Sequence, residues 1–257
     1  MQLETNQTMK KELNVFFQEN NRLALAFSGG TDSTYLMYAA REAGADITAY
    51  FVKSQFQPMF ELEDARRLAD ELNCRLKVLE IDVMKHDEIV SNQSHRCYYC
   101  KKLMFETIAT AAKTDGYTVI IDGTNASDDA SDRPGIRALS EMNIISPLRL
   151  CGITKPEVRK LSEAAGLRTC HLPSYSCLAT RIKTGEIITE QKLEAIEKSE
   201  NYLKSLGIRD FRVRVNNNKA GLELRSDDSI IVDKNRLVIK EYLGKYFESV
   251  DLGVEDK

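Results

Sequence analysis

The sequence has no apolar run near the length of a membrane span, which needs about 20 consecutive apolar residues, so no transmembrane helix is expected. It also shows no basic stretch followed by an apolar one at its start. Met1, Gln2, Leu3, Glu4 and Thr5 are polar or acidic on balance, which argues against a secretory signal and predicts a cytoplasmic protein. There is no excess of positive charge: 36 Lys and Arg stand against 39 Asp and Glu, for a formal net charge of -3. Neutralisation of phosphates supplies much of the affinity for nucleic acid, so this balance disfavours a chain whose main task is to hold RNA or DNA. Internal repeats and low-complexity tracts are absent too. The 257 residues instead carry 42% hydrophobic residues, enough for one large domain or a medium and a small one.

The pattern of apolar residues alternates between strand-like and helix-like runs. An amphipathic helix is expected over Met9–Asn20, and short apolar strands over Arg22–Phe27, Ile47–Val52, Arg75–Ile81, Tyr117–Ile121 and Ile144–Leu148. Helical periodicity fills the intervals after Ser33, over Phe60–Leu72, Lys102–Thr114 and Lys155–Ala165. Pro156 in the first turn and Gly166 past the end delimit the last of these. Strands alternating with helices predict a doubly wound parallel α/β sheet over residues 1–180. Beyond Gly185 the order changes to a helix over Thr189–Leu206, a hairpin from Asp210–Val215 and Gly221–Arg225 turning at Asn216, Asn217 and Asn218, a helix over Asp233–Tyr246 and a last strand over Ser249–Leu252. That set predicts a small α+β domain over residues 186–257.

The strongest chemical signal is SGGTDS at Ser28, Gly29, Gly30, Thr31, Asp32 and Ser33. It follows a strand and opens a helix, the place where α/β sheets bind ligands. Gly29 and Gly30 let the backbone approach an anion, and the helix start offers unpaired N–H groups with a favourable dipole. Ser28 and Ser33 add hydroxyl donors, and Asp32 can hold Mg2+ beside phosphates. No Gly-Lys-Ser/Thr follows the glycines, which excludes a Walker A loop. The loop resembles the SGGxDS signature of PP-loop ATP-pyrophosphatases, which cleave ATP between its α and β phosphates and form an adenylated intermediate. Asp122, Gly123, Thr124 and Asn125, followed by Asp128, Asp129 and Asp132-Arg133-Pro134-Gly135, come directly after the fourth strand. They are expected at the same sheet edge, bordering the nucleotide.

Of the six cysteines, structural disulfides are not expected in a reducing compartment. Cys97 and Cys100 form a CxxC, and Cys177 lies in a separate SCLATR segment. Three thiolates from two loops suit a 4Fe–4S cluster with one open iron; zinc and a redox pair are the alternatives. Cys74 and Cys151 read as small apolar residues, and Cys170 as a bystander or a fourth ligand.

Five segments in order along the chain carry a closer likeness: SGGTDS, CYYCKK at Cys97–Lys102, DGTNASDDASDRPG at Asp122–Gly135, SCLATRI at Ser176–Ile182, and FRVRV at Phe211–Val215 with Leu222, Glu223 and Leu224. Together they resemble the LarE family, PP-loop sulfur transferases of nickel-pincer nucleotide biosynthesis. The resemblance implies that ATP adenylates a ring carboxylate of pyridinium-3,5-biscarboxylic acid mononucleotide and that sulfur then displaces AMP. It implies ATP contacts from Ser28, Gly29, Gly30, Thr31, Asp32, Ser33, Asp122, Gly123 and Asn125. Cys177, Asp32 and Arg181 are implied as catalytic, and Lys101, Arg212 and Arg214 as substrate-binding. Cys97, Cys100 and Cys177 would hold the cluster, with Glu200 and Glu223 as ligands of a divalent cation. A sulfide donor and a homo-oligomer are implied as partners. Because all three cysteines are present, the chain resembles the cluster-bearing members, not those that sacrifice a lone cysteine. The rival readings are a cluster-dependent PP-loop tRNA thiolase, an ammonia-using PP-loop synthetase, and a nucleotide-sensing scaffold with structural zinc. The acidic balance weighs against the first, and the cysteine set is unexplained by the second.

Overall fold

The computed structural model describes residues 2–128, 134–172, 175–224 and 228–253. Asp129, Asp132, Arg133 and Arg225, singled out above, lie outside the described residues, as do Pro173 and Ser174. The chain forms two compact units. The first comprises residues 1–54, 59–81 and 97–175, and the second residues 55–58, 82–96 and 176–257.

The first unit runs α1 (Gln2–Glu19), β1 (Arg22–Ala26), α2 (Thr31–Glu42), β2 (Asp46–Lys53), α3 (Met59–Glu71), β3 (Arg75–Glu80), α4 (Arg96–Thr114), β4 (Val119–Asp122), α5 (Pro134–Glu141), α6 (Pro147–Leu150) and α7 (Lys155–Ala164). The four strands are parallel in the order β3-β2-β1-β4. Period-two alternation divides their side chains between two cores. Leu23, Leu25, Ala49, Phe51 and Ile121 join Leu13, Phe17, Leu36 and Leu161 from α1, α2 and α7. Ala24, Tyr50 and Val52 face the other way, onto Phe105, Ile108 and Ala112 of α4. Burial on both faces is why β1 and β2 read as near-continuous apolar runs. Each fully buried leucine or phenylalanine contributes about 1.5–3 kcal/mol, and Leu25→Ala would cost roughly 2–5 kcal/mol by emptying the sheet centre.

The doubly wound parallel sheet is as expected, but with four strands instead of five. Ile145 makes one parallel bridge to Ile121 and the segment then turns into α6. Pro147 at the first helical position supplies no strand donor and suits a helix start. A second correction concerns α4, which begins at Arg96 rather than Lys102, so both cysteines of the CxxC lie within its first two turns. Tyr98 anchors the first of these. Its hydroxyl donates to Glu141 Oε2 at 2.6 Å, and the Arg137 guanidinium lies 4.2 Å from the centre of its ring.

In the second unit, a one-turn helix Asp87–Val90 precedes α8 (Glu190–Ser205), β5 (Phe211–Asn216), β6 (Lys219–Leu224), α9 (Ser229–Lys234), α10 (Arg236–Leu243) and β7 (Ser249–Asp251). β5 and β6 form an antiparallel hairpin, and β7 adds in parallel to β6. Asn217 and Asn218 take left-handed φ of 46° and 59° at its two-residue turn, a conformation asparagine tolerates and a tight hairpin requires. Thr189 caps α8 by accepting from Lys192 N–H. The helix expected over Asp233–Tyr246 is two short ones, α9 and α10, meeting at Asn235.

Candidate active site

Strand order reverses between β1 and β4, and the loops after both strands open at that carboxyl edge. Crevices at such switch points are the usual ligand sites of open α/β sheets. Gly29 has φ +72°, where a Cβ is strained. The chain then enters α2 with extended Gly30 as its N-cap and no side-chain cap. The first N–H groups of a helix have no intrahelical partner, so this end is set to meet an anion. Ser28 Oγ and Ser33 Oγ lie 3.2 Å apart, and Ser33 Oγ also receives Ser28 N–H at 3.3 Å. These bonds close the loop. Thr31 Oγ1 donates to Thr169 O at 2.7 Å and ties the loop to the segment before Leu172.

The second loop packs directly on the first. A Cβ on Gly123 would come 3.0 Å from Ser33 N and 3.3 Å from Asp32 Cβ, so glycine lets the two loops approach this closely without crowding. Asn125 Nδ2 donates to Asp32 Oδ1 at 3.4 Å, and its own N–H is received by Asp128 Oδ2 at 3.0 Å. Asp122 is buried and accepts from Ser146 Oγ at 2.6 Å and from Thr124 Oγ1 at 2.5 Å. The structure thus brings together Ser28, Gly29, Gly30, Thr31, Asp32, Ser33, Asp122, Gly123 and Asn125.

It also adds a residue that sequence reasoning missed. Lys155 Nζ lies 2.5 Å from Asp32 Oδ2, and both side chains are about a quarter exposed or less. Lys155 opens α7, where Thr154 and Glu157 form a capping box and Ser127 Oγ receives Lys155 N–H. The T-K-P-E pattern signals a helix start but carries nothing that points to Asp32. The donor set fits Mg2+ and triphosphate: one carboxylate whose partners are a lysine and an amide can exchange them for a hydrated cation, which usually binds through one or two carboxylates plus phosphates.

Cys97 and Cys100 are three apart on α4, exposed and half-buried respectively, a spacing that places them on one helix face. Half-buried Lys101 follows them. Among the described residues, no group of three or more His, Cys, Asp or Glu is arranged to hold a metal ion. Burial raises the thiol pKa of Cys74 and Cys151, as suits cysteines packed beside the apolar core. Cys170 is buried and its carbonyl accepts from Arg159.

In the second unit, Cys177 is half-buried and caps the 3-10 turn Leu178–Arg181. Arg181 is fully buried and grips Glu200 in a fork, Nε to Oε1 at 2.9 Å and Nη2 to Oε2 at 3.1 Å. Glu200 Oε1 also receives Val213 N–H at 3.1 Å. Arg212 and Arg214 share one face of β5 by period two. Arg212 is buried and donates to Phe211 O, whereas half-exposed Arg214 donates to Glu223 Oε2 and Thr180 O, both at 2.7 Å. Arg214 lines a cavity of about 530 Å³ together with Lys183, Thr184, Lys219, Ser249 and Asp251, a volume ordinary for small-molecule sites.

A parallel sheet whose first strand ends in SGGTDS at a helix start, with a glycine of the next loop pressed against it, defines a PP-loop α/β enzyme. Comparison with known proteins agrees. The family described as queuosine biosynthesis protein QueC matches residues 22–131. The chain is 30% identical to the pyridinium-3,5-bisthiocarboxylic acid mononucleotide synthase of Lactiplantibacillus plantarum over 96% of its length and 91% of that protein. It is 36% identical to an uncharacterized protein of Synechocystis sp. over 83% of its length and 80% of that one. A tRNA-specific 2-thiouridylase of Clostridium botulinum is 27% identical over 56% of this chain and 50% of its own. The chain belongs to the LarE family, and is an ATP-dependent sulfurtransferase with a PP-loop. Among the described residues no helix is long and apolar enough to cross a membrane.

Proposed function

We propose that the protein uses ATP to adenylate the ring carboxylates of pyridinium-3,5-biscarboxylic acid mononucleotide and converts them to thiocarboxylates. The observation that carries this reading is the likeness to the L. plantarum synthase, which spans both units, whereas the likeness to the tRNA thiouridylase covers about half the chain. A carboxylate oxygen attacks the α phosphorus of ATP and pyrophosphate leaves. A sulfide sulfur then attacks the acyl carbon of the mixed anhydride, and AMP leaves with the carboxylate oxygen it had acquired. Two rounds give the bis-thiocarboxylic nucleotide.

The N–H groups at the start of α2 and the hydroxyls of Ser28 and Ser33 hold the departing pyrophosphate. They act where charge accumulates in the transition state, the situation in which fixed donors count most. Asp32 holds Mg2+ with Asp122 nearby, and Lys155 turns from Asp32 to phosphate. Asn125 and Gly123 border the adenylate. In the second unit, Arg214 and the cavity it lines suit the phosphate of the pyridinium nucleotide, with Arg212 as a supporting contact; Lys101, in the first unit, would also bind substrate, and Glu223 would serve as a ligand of a divalent cation. The thiol chemistry of Cys97, Cys100 and Cys177 fits an iron–sulfur group, since thiolates are its usual ligands. A 4Fe–4S cluster held by these three would supply sulfur for transfer.

Anaerobic pyrophosphate release with the pyridinium nucleotide, set beside bulk tRNA, tests the reading. Release with the nucleotide alone is expected. Release with tRNA alone would move the protein to the thiolase class.

A further inference from the structure

We propose that Arg181 and Glu200 are a positioning pair that fixes the backbone at Ser176 and Cys177, and that Glu200 serves this role instead of binding a divalent cation. The proposal rests on the reading of Cys177 as a sulfur-side residue. The pair is sealed from solvent, with side-chain exposures of 0% and 3%. A ligand for a hydrated cation needs a carboxylate oxygen that water can reach. Both oxygens of Glu200 are instead taken by the guanidinium fork, and Oε1 takes Val213 N–H as well. A cation added there would face the Arg181 charge at close range in a medium that screens poorly.

The other end of the guanidinium shows what the fork is for. Arg181 Nη1 sits among four oxygens: Ser176 O at 2.5 Å, Ser176 Oγ at 2.9 Å, Thr180 Oγ1 at 3.1 Å and Cys177 O at 3.3 Å. Thr180 Oγ1 donates in turn to Cys177 O at 2.7 Å. The backbone on either side of the Cys177 side chain is therefore held by one planar group, and Glu200 holds that group in place. The planar, preorganised fork is what a lysine could not supply. Bonds from the same unit brace the segment further on. Leu178 N–H donates to Phe56 O at 2.9 Å, and Arg96 Nη1 donates to Ala179 O at 3.0 Å. An attacking or ligating thiol has to be presented within a fraction of an ångström, and buried supporting contacts provide that precision.

A paired variant separates positioning from bulk stability. Replacing a buried ion pair by apolar residues of similar volume is often neutral for stability, so Arg181→Met with Glu200→Leu should fold while losing every bond from the guanidinium to Ser176 and Cys177. Alkylation of Cys177 by iodoacetamide, read by mass spectrometry on the peptide that holds it, is expected to run at least fivefold faster than in the unaltered protein. Circular dichroism checks the fold. Glu200→Gln keeps the shape and drops the charge, and is expected to accelerate alkylation by a smaller factor even if the double variant does not fold. Mn2+ titration of the same proteins is expected to give the stoichiometry of the unaltered chain. Alkylation at or below the unaltered rate in both variants, or loss of bound Mn2+ in Glu200→Gln, overturns the proposal. Neither readout uses ATP or the pyridinium nucleotide, so its failure is distinct from failure of the proposed reaction.

Discussion

Lys155 Nζ meets Asp32 Oδ2 across 123 residues of sequence, at the mouth of the glycine loop. The pair neutralises a carboxylate that would otherwise repel the phosphates of an incoming nucleotide. Lys155→Ala leaves that charge uncompensated until Mg2+ arrives. The expected outcome is a KM for ATP raised by about tenfold, the equivalent of roughly 1.4 kcal/mol of binding, with pyrophosphate release as the assay. Asp32→Asn, which removes the metal-binding charge itself, is expected to lower kcat by about a hundredfold or more.

Gly123 is the contact point between the two loops. A methyl group there would press on Ser33 N and Asp32 Cβ, and backbone cannot move aside as a side-chain tip can. Gly123→Ala is expected to weaken nucleotide binding by about tenfold or more, while the apolar cores keep the melting temperature within a few degrees. Calorimetric titration with a non-hydrolysable ATP analogue reads the first quantity and thermal unfolding the second.

Asn92 predicts a stability effect in the second unit. It is buried, and its amide donates to Lys183 O at 2.9 Å, to Glu186 O at 3.1 Å and to Ile182 O at 3.3 Å. Its Oδ1 accepts from Arg96. Asn92→Ala strands these groups and puts a Cβ at φ 55° without the local hydrogen bonding that makes asparagine tolerable there. A loss of about 3 kcal/mol is expected in denaturant unfolding. Asn92→Gly relieves the backbone but not the hydrogen bonds, and should recover only a small part.

Asp115 gives the pH dependence a sign. A hydrogen bond from Lys77 at 2.7 Å, reinforced by one from Tyr50 at 2.6 Å, holds its carboxyl below the ordinary aspartate value of 3.8. A carboxyl with a depressed folded pKa stabilises the protein above its unfolded pKa, and the contribution disappears as pH falls through the folded value. Asp115→Asn should therefore unfold at lower denaturant than the unaltered protein near neutrality. The difference should shrink below about pH 4 and vanish in stronger acid. Tyr50 is pushed up, first by burial and then by this carboxylate, so it remains a neutral donor throughout that range.

Much of the nucleotide half was legible from the residues in order. Strand periodicity, two glycines and a helix start located Ser28–Ser33, and the polar run after the fourth strand located Asp122–Asn125. These are local signals: each depends on backbone freedom and hydrogen bonding within a few residues. The same holds for the Asn217–Asn218 turn, where left-handed φ and strand alternation agree.

Long-range pairing was not legible, because nothing local fixes which charge meets which. Lys155 read as a helix residue until α7 brought it to Asp32. Glu200 was implied as a ligand of a divalent cation, yet α8 turns it inward onto Arg181 and the N–H of Val213 on β5. Ile144–Leu148 had strand character, but Pro147 and the packing of Leu148 in the core took it into a helix. Residues 55–58 and 82–96 belong with the C-terminal segment, and Phe56, Val90, Asn92 and Arg96 bond to residues 178–188. The sequence by itself determined the class of chemistry, through loops whose conformation is local. Only the tertiary structure decided which charged groups support that chemistry, since a buried charge must find its partner wherever the packed elements place one.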